Sequence, residues 1–235
     1  CMDLLIASSP SRMKPRIKLA ETMTPDGGAL ALFEQDNTYS ISYKGQQLMH
    51  SKMTTSEELL GKLGLDRLDK TLPSRILVGG LGLGYTLRTV MEGCSSESQV
   101  DVAELFPEVV DWNRTFLKEL NGSFLDDPRT TVLIKNVGNV IKNAPPETYD
   151  SILLDVDNGP IAMVAESNNS LYSHFGVRSI HAALKANGRA VFWSAQADPR
   201  FEKRLRKAGF TVKAVPSRTH PGAKRAAYLL YVADR

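Results

Sequence analysis

The chain has 235 residues, of which 42% are hydrophobic and 23% charged, a composition typical of one globular domain with an appendage. The net charge of +3 indicates no particular partner, and no window approaches the roughly 18 apolar residues of a membrane helix, which excludes a membrane partner. The two cysteines have neither a disulfide framework nor a metal-ligand spacing, so we expect a cytoplasmic protein without a metal.

The first part of the chain predicts a small antiparallel sheet that leads into a helix. Residues 1–15 contain Ser, Pro and Met without periodicity, and we expect them to be disordered. Turn sequences rich in Gly, Asp and Asn separate short runs with strand character. These runs predict three or four strands, at residues 16–23, 28–35 and 38–50, because Lys44-Gly45 interrupts the last run. A helix is predicted at residues 54–65, so the small β-domain and its connecting helix occupy residues 16–70.

Beyond this point, short apolar runs alternate with amphipathic segments. The apolar runs predict strands at residues 75–80, 99–106, 130–136, 149–157, 189–195, 210–218 and 225–235. The amphipathic segments predict helices at residues 85–93, 107–120, 173–188 and 199–210. Such alternation predicts a parallel sheet with helices on both faces, over residues 71–235. The last two strands are too close in sequence for a helical crossover, so we expect an antiparallel hairpin at the end of the sheet.

The first strand of this second part ends in a run of glycines, "RILVGGLGLG". Gly80, Gly82 and Gly84 allow a close approach to a ligand, because no Cβ stands between the main chain and the ligand. In an open parallel sheet this turn lies at the carboxyl ends of the strands, where ligands bind. The run therefore indicates a nucleotide site, although NAD and FAD proteins share the pattern and a tight turn without a ligand is an alternative.

Acidic residues end two further strands at the same edge. Glu104 ends the second strand, 20 residues after Gly84, where a carboxylate can accept hydrogen bonds from both ribose hydroxyls. Asp155 and Asp157 end the fourth strand, and their spacing places them on one side if the chain is still extended. Surface or capping roles are the alternative for these acids.

The order of these motifs, with "LDDPR" at residues 125–129 before the third strand, resembles the spermidine synthase (aminopropyltransferase) family. More broadly, the chain resembles the class I S-adenosylmethionine-dependent methyltransferases. The resemblance covers most of the chain and implies an α/β, Rossmann-like fold. That fold has a mostly parallel seven-stranded sheet with an antiparallel last strand and a small N-terminal antiparallel β-domain. The resemblance also implies a homodimer.

The resemblance implies a cofactor site formed by residues of three strand ends. Gly80, Gly82 and Gly84 would line the methionine-like end of S-adenosylmethionine or of its decarboxylated form, and Glu104 would hold the ribose. The adenine would be contacted by Asn136, Val137 and Gly138.

The two acids of the fourth strand would act on the acceptor. Asp155 matches the general base of the family, which takes a proton from an amine and frees its lone pair for attack. Asp155 would also border the cofactor. Asp157 matches the acid that helps to bind the cationic amine substrate.

Several departures from the family pattern bear on the reaction. The family has an Asp in its glycine loop that helps to hold the amine of the cofactor, whereas "GGLGLG" has none. A "YHE" tract that supplies a tyrosine near the acceptor reads Ser56-Glu57-Glu58 here. A basic tract near the carboxyl end contains Arg218, His220, Lys224 and Arg225 and suits an anionic group, although a solvated hairpin loop is the alternative. These departures favour a divergent or methyltransferase-like member over a standard spermidine synthase.

The sequence therefore predicts transfer of a methyl or aminopropyl group from S-adenosylmethionine or decarboxylated S-adenosylmethionine to a small amine. A nucleotide-binding homologue without catalytic activity is an alternative. A nucleic-acid methyltransferase that uses the basic tract is another. We do not expect a nucleic-acid partner, because the "DVDNGP" motif offers no aromatic clamp for a flipped base.

Overall fold

A computed structural model describes residues 14–156 and 170–235. The predicted disorder of residues 1–15 therefore falls almost wholly outside the described residues. The predicted substrate ligand Asp157 also lies outside them.

Four antiparallel strands form an N-terminal sheet in the order β1-β2-β3-β4. They are β1 (Ile17–Met23), β2 (Ala29–Gln35), β3 (Thr38–Tyr43) and β4 (Gln46–His50). The predicted run at residues 38–50 is two strands joined at Lys44 and Gly45. Both have a positive φ, 48° and 79°, as a two-residue hairpin turn requires. The small antiparallel sheet predicted from the sequence is thus confirmed.

Seven strands form a second sheet in the order β10-β11-β9-β8-β5-β6-β7. They are β5 (Arg75–Gly79), β6 (Gln99–Glu104), β7 (Thr130–Ile134), β8 (Tyr149–Leu154), β9 (Leu184–Ser194), β10 (Thr211–Ser217) and β11 (Tyr228–Asp234). Strands β5 to β9 pair in parallel, and β11 pairs antiparallel with both β9 and β10. The mostly parallel sheet and its antiparallel last strand are therefore confirmed.

Helices connect most of these strands. They are α1 (Thr55–Leu65), α2 (Tyr85–Gly93), α3 (Pro107–Thr115), α4 (Lys118–Asn121), α5 (Val137–Asn143), α6 (His174–Ala183) and α7 (Pro199–Lys207). The helix predicted at residues 107–120 is divided into α3 and α4. The side-chain amide of Asn121 donates to the carbonyl oxygen and to Oδ1 of Asn113, both at 3.0 Å, and these bonds hold α4 against α3.

The prediction of a helix over residues 173–188 is wrong in its last part. Helix α6 ends at Ala183, and β9 begins at Leu184, which pairs with Tyr149 of β8. Leu184 is fully buried. Asn187 has a φ of 65°, which is a left-handed conformation that cannot be part of a right-handed helix. Burial of Leu184 and pairing of its main chain override the helical pattern of the sequence.

Buried apolar side chains form two clusters on opposite faces of the seven-stranded sheet. One cluster includes Leu153 and Val191, and it joins the sheet to α1, α2, α3 and the N-terminal sheet. The other includes Leu154 and Phe192, and it joins the sheet to α5, α6 and α7. Neighbouring residues of a strand point to opposite faces of the sheet. The cluster to which one strand residue belongs therefore shows which face its neighbours along the strand occupy.

The chain reverses its direction of winding beside β5. From β5 it proceeds to β6 and β7 on one side, and it then returns to β8 and β9 on the other. Ligands of open α/β sheets bind outside the carboxyl ends of the strands at such a switch point. The carboxyl ends of β5, β6 and β8 carry Gly79, Glu104 and Leu154.

Candidate functional site

The glycine loop after β5 has a left-handed backbone at all three glycines of the pattern. Gly80, Gly82 and Gly84 have φ values of 89°, 53° and 88°, which residues with a Cβ rarely adopt. A Cβ at Gly80 would lie 2.7 Å from the carbonyl oxygen of Asp155, and one at Gly82 would lie 2.8 Å from Sδ of Met49. The loop is therefore packed between the end of β8 and strand β4.

Glu104 ties this loop to the end of β6. Its Oε2 accepts a hydrogen bond from the main-chain N–H of Leu81 at 2.9 Å. Its Oε1 accepts from the N–H groups of Leu105 at 2.7 Å and of Phe106 at 3.0 Å. Burial raises the pKa of Glu104, while these main-chain donors oppose the increase. The carboxylate thus shapes the loop, a contact that the sequence did not predict.

The segment 136–138 lies beside Glu104, because the N–H of Lys135 donates to the Glu104 carbonyl at 3.0 Å. Oδ1 of Asn136 accepts from the N–H of Gly138 at 2.8 Å and so caps α5. Val137 is buried in the core and packs against Gly79. A Cβ added at Gly79 would lie 2.8 Å from Cγ2 of Val137. Asn136 and Gly138 are therefore at the predicted edge of the sheet, while the side chain of Val137 faces the core.

Asp155 is the first residue after β8. Its N–H donates to the carbonyl of Gly79 at 3.0 Å, which extends the contact between β8 and β5 by one residue. Leu153 belongs to the cluster that joins the sheet to α1, so the alternation of an extended chain places Asp155 on that same face. The predicted base and the glycine loop are thus neighbours in the fold, whereas Asp157 lies outside the described residues.

Two apolar side chains at this edge were missed by the sequence analysis. Leu105 follows Glu104 and is 39% exposed, and Ile134 ends β7 and is 45% exposed. Both belong to adjacent strand ends, since Glu104 pairs with Ile134. Exposed apolar side chains in a cleft are typical of ligand walls. In the sequence they are marked only by their positions, since Leu105 directly follows β6 and Ile134 is the last residue of β7.

A second group of missed residues lies where α1, α2, β9 and β11 approach one another. It consists of Glu57, Tyr85, Trp193 and Tyr228, all of which are half-buried. Burial raises the pKa of Tyr228, and the Glu57 carboxylate adds to the increase, so the two side chains lie near each other. No local sequence pattern predicts this group, because its members come from four elements.

The described residues contain no group of three or more side chains suited to hold a metal ion. No helix within the described ranges combines the length and the apolar character needed to span a membrane.

The order and direction of the strands define the class of the protein, an α/β protein with a Rossmann-like fold. Within that class, the chain belongs to the spermine/spermidine synthase family, because the family model "Spermine/spermidine synthase domain" matches residues 53–209. The predicted family is thereby confirmed.

Solved structures agree with this assignment at the level of the fold. Spermidine synthase from Thermotoga maritima superposes with a TM-score of 0.70 at 19% identity, over 92% of this chain and 72% of that one. A spermidine synthase in complex with the transition state analogue AdoDATO gives a TM-score of 0.73 at 19% identity, over 92% and 73%.

Curated relatives match over shorter stretches. Putrescine N-methyltransferase 2 of Nicotiana attenuata is 35% identical over 83 residues, which are 35% of this chain and 22% of the relative. Spermidine synthase of Coffea arabica is 30% identical over 142 residues, which are 60% of this chain and 42% of the relative. These matches cover less than half of the length of the two relatives.

Proposed function

We propose that this chain binds S-adenosylmethionine or its decarboxylated form and transfers an alkyl group to a small amine. The observation that carries the proposal is the convergence of the glycine loop, Glu104 and Asp155 at one edge of the sheet, with Gly80 directly against the Asp155 main chain. Family membership supports it.

The residues at this edge fit an adenosyl group. Gly80, Gly82 and Gly84 would approach the methionine-like part, since their main chain carries no Cβ. Glu104 would hold the ribose with the acceptor capacity that its main-chain donors leave. The adenine would lie near Asn136, Val137 and Gly138, between the exposed side chains of Leu105 and Ile134.

Asp155 would act as the general base. The cofactor supplies a carbon bonded to a sulfonium sulfur, which is an electrophile. Asp155 accepts the proton of the attacking ammonium, so that the nitrogen lone pair can form the new N–C bond while the C–S bond breaks and its electron pair stays on sulfur. The glycine loop and the end of β8 would hold the reacting atoms in line, because Gly80 and Asp155 are in direct contact. Asp157 would bind the cationic amine.

Methyl transfer is favoured over aminopropyl transfer by the chemistry of the loop. Decarboxylated S-adenosylmethionine ends in an ammonium group that needs a carboxylate partner. The gaps between the glycines contain Leu81 and Leu83, which are 5% and 4% exposed and offer no charge. The carboxylate of S-adenosylmethionine, in contrast, can accept from main-chain N–H groups at the start of α2. Similarity to putrescine N-methyltransferases is consistent with this preference.

A thermal-shift assay tests the proposal. We expect S-adenosylmethionine to raise the melting temperature more than its decarboxylated form does, because a ligand stabilises the state that it binds. The Asp155→Asn variant should keep this shift but lose transfer of a labelled methyl group to an amine. Asp150→Asn, at the other end of β8, is the matched control and should retain both.

The outcomes separate the alternatives. No shift with either nucleotide or with methylthioadenosine would overturn the proposal. A shift without transfer to any amine would instead support a nucleotide-binding homologue without catalytic activity. Binding of RNA with a steep salt dependence would favour a nucleic-acid methyltransferase.

We also propose that the protein is a homodimer, as the family resemblance implies. Light scattering coupled to size exclusion should give twice the mass of 25.9 kDa for the chain. A single-chain mass over the working concentration range would contradict this.

A further inference from the structure

A cavity of about 420 Å³ lies where the last turns of α1 and α2 meet the connection from α1 to β5. Small-molecule sites in proteins have volumes of about 300–1,000 Å³, so the cavity is large enough for a metabolite. Its lining comes from all three segments and combines apolar side chains with charged groups of both signs. None of the residues proposed above to act on the cofactor or the acceptor lines it.

Two glycine contacts form the inner wall of the cavity. A Cβ added at Gly61 of α1 would lie 2.8 Å from Cβ of Thr89, and one added at Gly93 would lie 2.6 Å from Cδ1 of Leu65. The two helices therefore touch along this line, because neither glycine has a side chain to separate them. Leu65 is 6% exposed and Leu68 is half-buried, so the inner wall is closed and apolar.

The cavity is separate from the candidate site at the glycine loop. Helix α2 begins at Tyr85, directly after that loop, and ends at Gly93, which lines the cavity. At about 1.5 Å per residue, the two ends of α2 are roughly 12 Å apart. Nη1 of Arg189 donates to the carbonyl of Leu63 at 2.9 Å, and Arg189 pairs with the last residue of β11. Helix α1 therefore also ends at the edge of the sheet opposite the glycine loop.

Lys62 of α1 and Lys70 of the connection, the lysine pair, supply positive charge to the cavity. Nζ of Lys62 lies 3.7 Å from Oε2 of Glu58, and both side chains are exposed. In the described parts of the chain, Lys70 forms no ion pair. Since exposed ion pairs are weak, both ammonium groups are available to an anion.

Asp66 of α1 and Glu92 of α2, the acid pair, supply negative charge. Oδ2 of Asp66 lies 3.5 Å from Nη1 of Arg189, and Oε1 of Glu92 accepts from Nε of Arg88 at 2.8 Å. A carboxylate can accept hydrogen bonds on both oxygens, so each acid keeps one for a ligand. Both side chains are more than half exposed, at 69% and 52%, so small solutes reach both.

The charges of the lining decide which ligand fits. With one lysine pair and one acid pair, the lining has no net charge, so a ligand with a single charge would also face a pair of its own sign. A zwitterion avoids this, because each of its ends can form charge-assisted hydrogen bonds. We propose that the cavity binds an apolar α-amino acid. Its carboxylate contacts the lysine pair, its ammonium group contacts the acid pair, and its side chain packs on Leu65 and Leu68.

Three probes with the same branched side chain test the site by isothermal titration calorimetry. L-Leucine carries both charges, 4-methylpentanoate carries only the carboxylate, and 3-methylbutylamine carries only the ammonium group. We expect L-leucine to bind about fivefold more tightly than either of the others, because each truncated probe leaves one charged pair without a partner. Equal binding of the three probes would refute the site.

Two substitutions separate the two ends of the ligand. Lys70→Gln should bring L-leucine to within about twofold of 3-methylbutylamine but keep its preference over 4-methylpentanoate, since only the carboxylate loses a partner. Glu92→Gln should do the reverse, because only the ammonium group loses a partner. Lys207→Gln and Glu119→Gln, exposed on other helices, are the matched controls and should keep both preferences. If the two cavity variants bind all three probes as the controls do, the cavity is not the site.

Competition distinguishes this cavity from the glycine loop, where the amino-acid part of S-adenosylmethionine would lie. We expect saturating S-adenosylmethionine to leave the affinity for L-leucine unchanged, because the two places are at opposite edges of the sheet. Displacement of L-leucine would place it at the loop and overturn the inference. If S-adenosylmethionine does not bind at all, the proposed function fails, while the two cavity variants still decide the amino-acid site.

Discussion

The carboxylate of Glu104 accepts hydrogen bonds from three main-chain N–H groups in two segments of the chain. Such a carboxylate can accept on both oxygens, whereas an amide has one oxygen and an NH2 group that only donates. An acid at this position therefore shapes the glycine loop before any ligand arrives, in addition to the ribose contact that we propose.

Replacing Glu104 with Gln should consequently destabilise the protein in the absence of any ligand. In either orientation, the NH2 group faces a main-chain donor, and a buried donor without an acceptor costs about 1–3 kcal/mol. Urea denaturation measures this loss, with the exposed Glu119→Gln as control. Equal stability of the two variants would show that the loop does not depend on Glu104.

Gly80→Ala should also be costly, since it combines a φ of 89° with a Cβ position 2.7 Å from the Asp155 carbonyl oxygen. We expect a loss of about 1–3 kcal/mol in the free energy of unfolding. Gly222→Ala is the control, because the nearest atom to its Cβ position is 3.5 Å away and its φ is ordinary. A Gly80→Ala variant as stable as the control would contradict the packing of the loop on β8.

At the scale of elements, the first segment of β9 shows how tertiary contacts override a local pattern. Residues 184–188 continue the apolar spacing of α6, yet Leu184 pairs with Tyr149 and is fully buried. The chain turns at Asn187, whose φ of 65° suits Asn or Gly and strongly disfavours a β-branched residue.

Substitutions at Asn187 test this turn directly. Asn187→Gly should leave the free energy of unfolding nearly unchanged, because glycine adopts a positive φ without strain. Asn187→Val should lower it by about 1–2 kcal/mol, since the left-handed region is strained for a β-branched residue. Chemical denaturation of the two variants compares them, and equal stabilities would mean that the strained turn is absent.

The sequence predicted elements that depend on local patterns and missed features that depend on contacts between elements. The two sheets were predicted because apolar runs and turn residues alternate along the chain. The glycine loop was predicted from its residue types, although glycine only permits the positive φ that Gly80 adopts. The contact of Glu104 with Leu81 joins two strand ends, and the approach of Glu57 to Tyr228 requires the antiparallel register of β11. No local pattern records either contact.

At the scale of the whole molecule, the N-terminal sheet meets the glycine loop. Sδ of Met49 lies 2.8 Å from the Cβ position of Gly82, and the hydroxyl of Tyr85 donates to the Ser51 carbonyl at 3.3 Å. On the other side, Oγ1 of Thr22 donates to Glu108 at 3.0 Å. The small sheet therefore covers the loop that we propose to bind the cofactor.

A double-mutant cycle between Gly82 and Met49 measures this contact. Gly82→Ala alone should lower stability, through its φ of 53° and through the clash with Met49. Met49→Ala in the same chain should restore part of that loss, with a coupling energy of about 0.5–2 kcal/mol. Urea denaturation of the four proteins gives the coupling, and strictly additive losses would show that the sheet does not press on the loop.

The reversal of β11 determines where the end of the chain can vary. Because β10 is antiparallel to β11, and β11 to β9, residues 218–227 emerge at the same edge as the glycine loop. The pairing of β10 with β11 and of β11 with β9 does not involve these residues. The length and charge of this connection, which contains Arg218, Lys224 and Arg225, can therefore change without rebuilding the sheet.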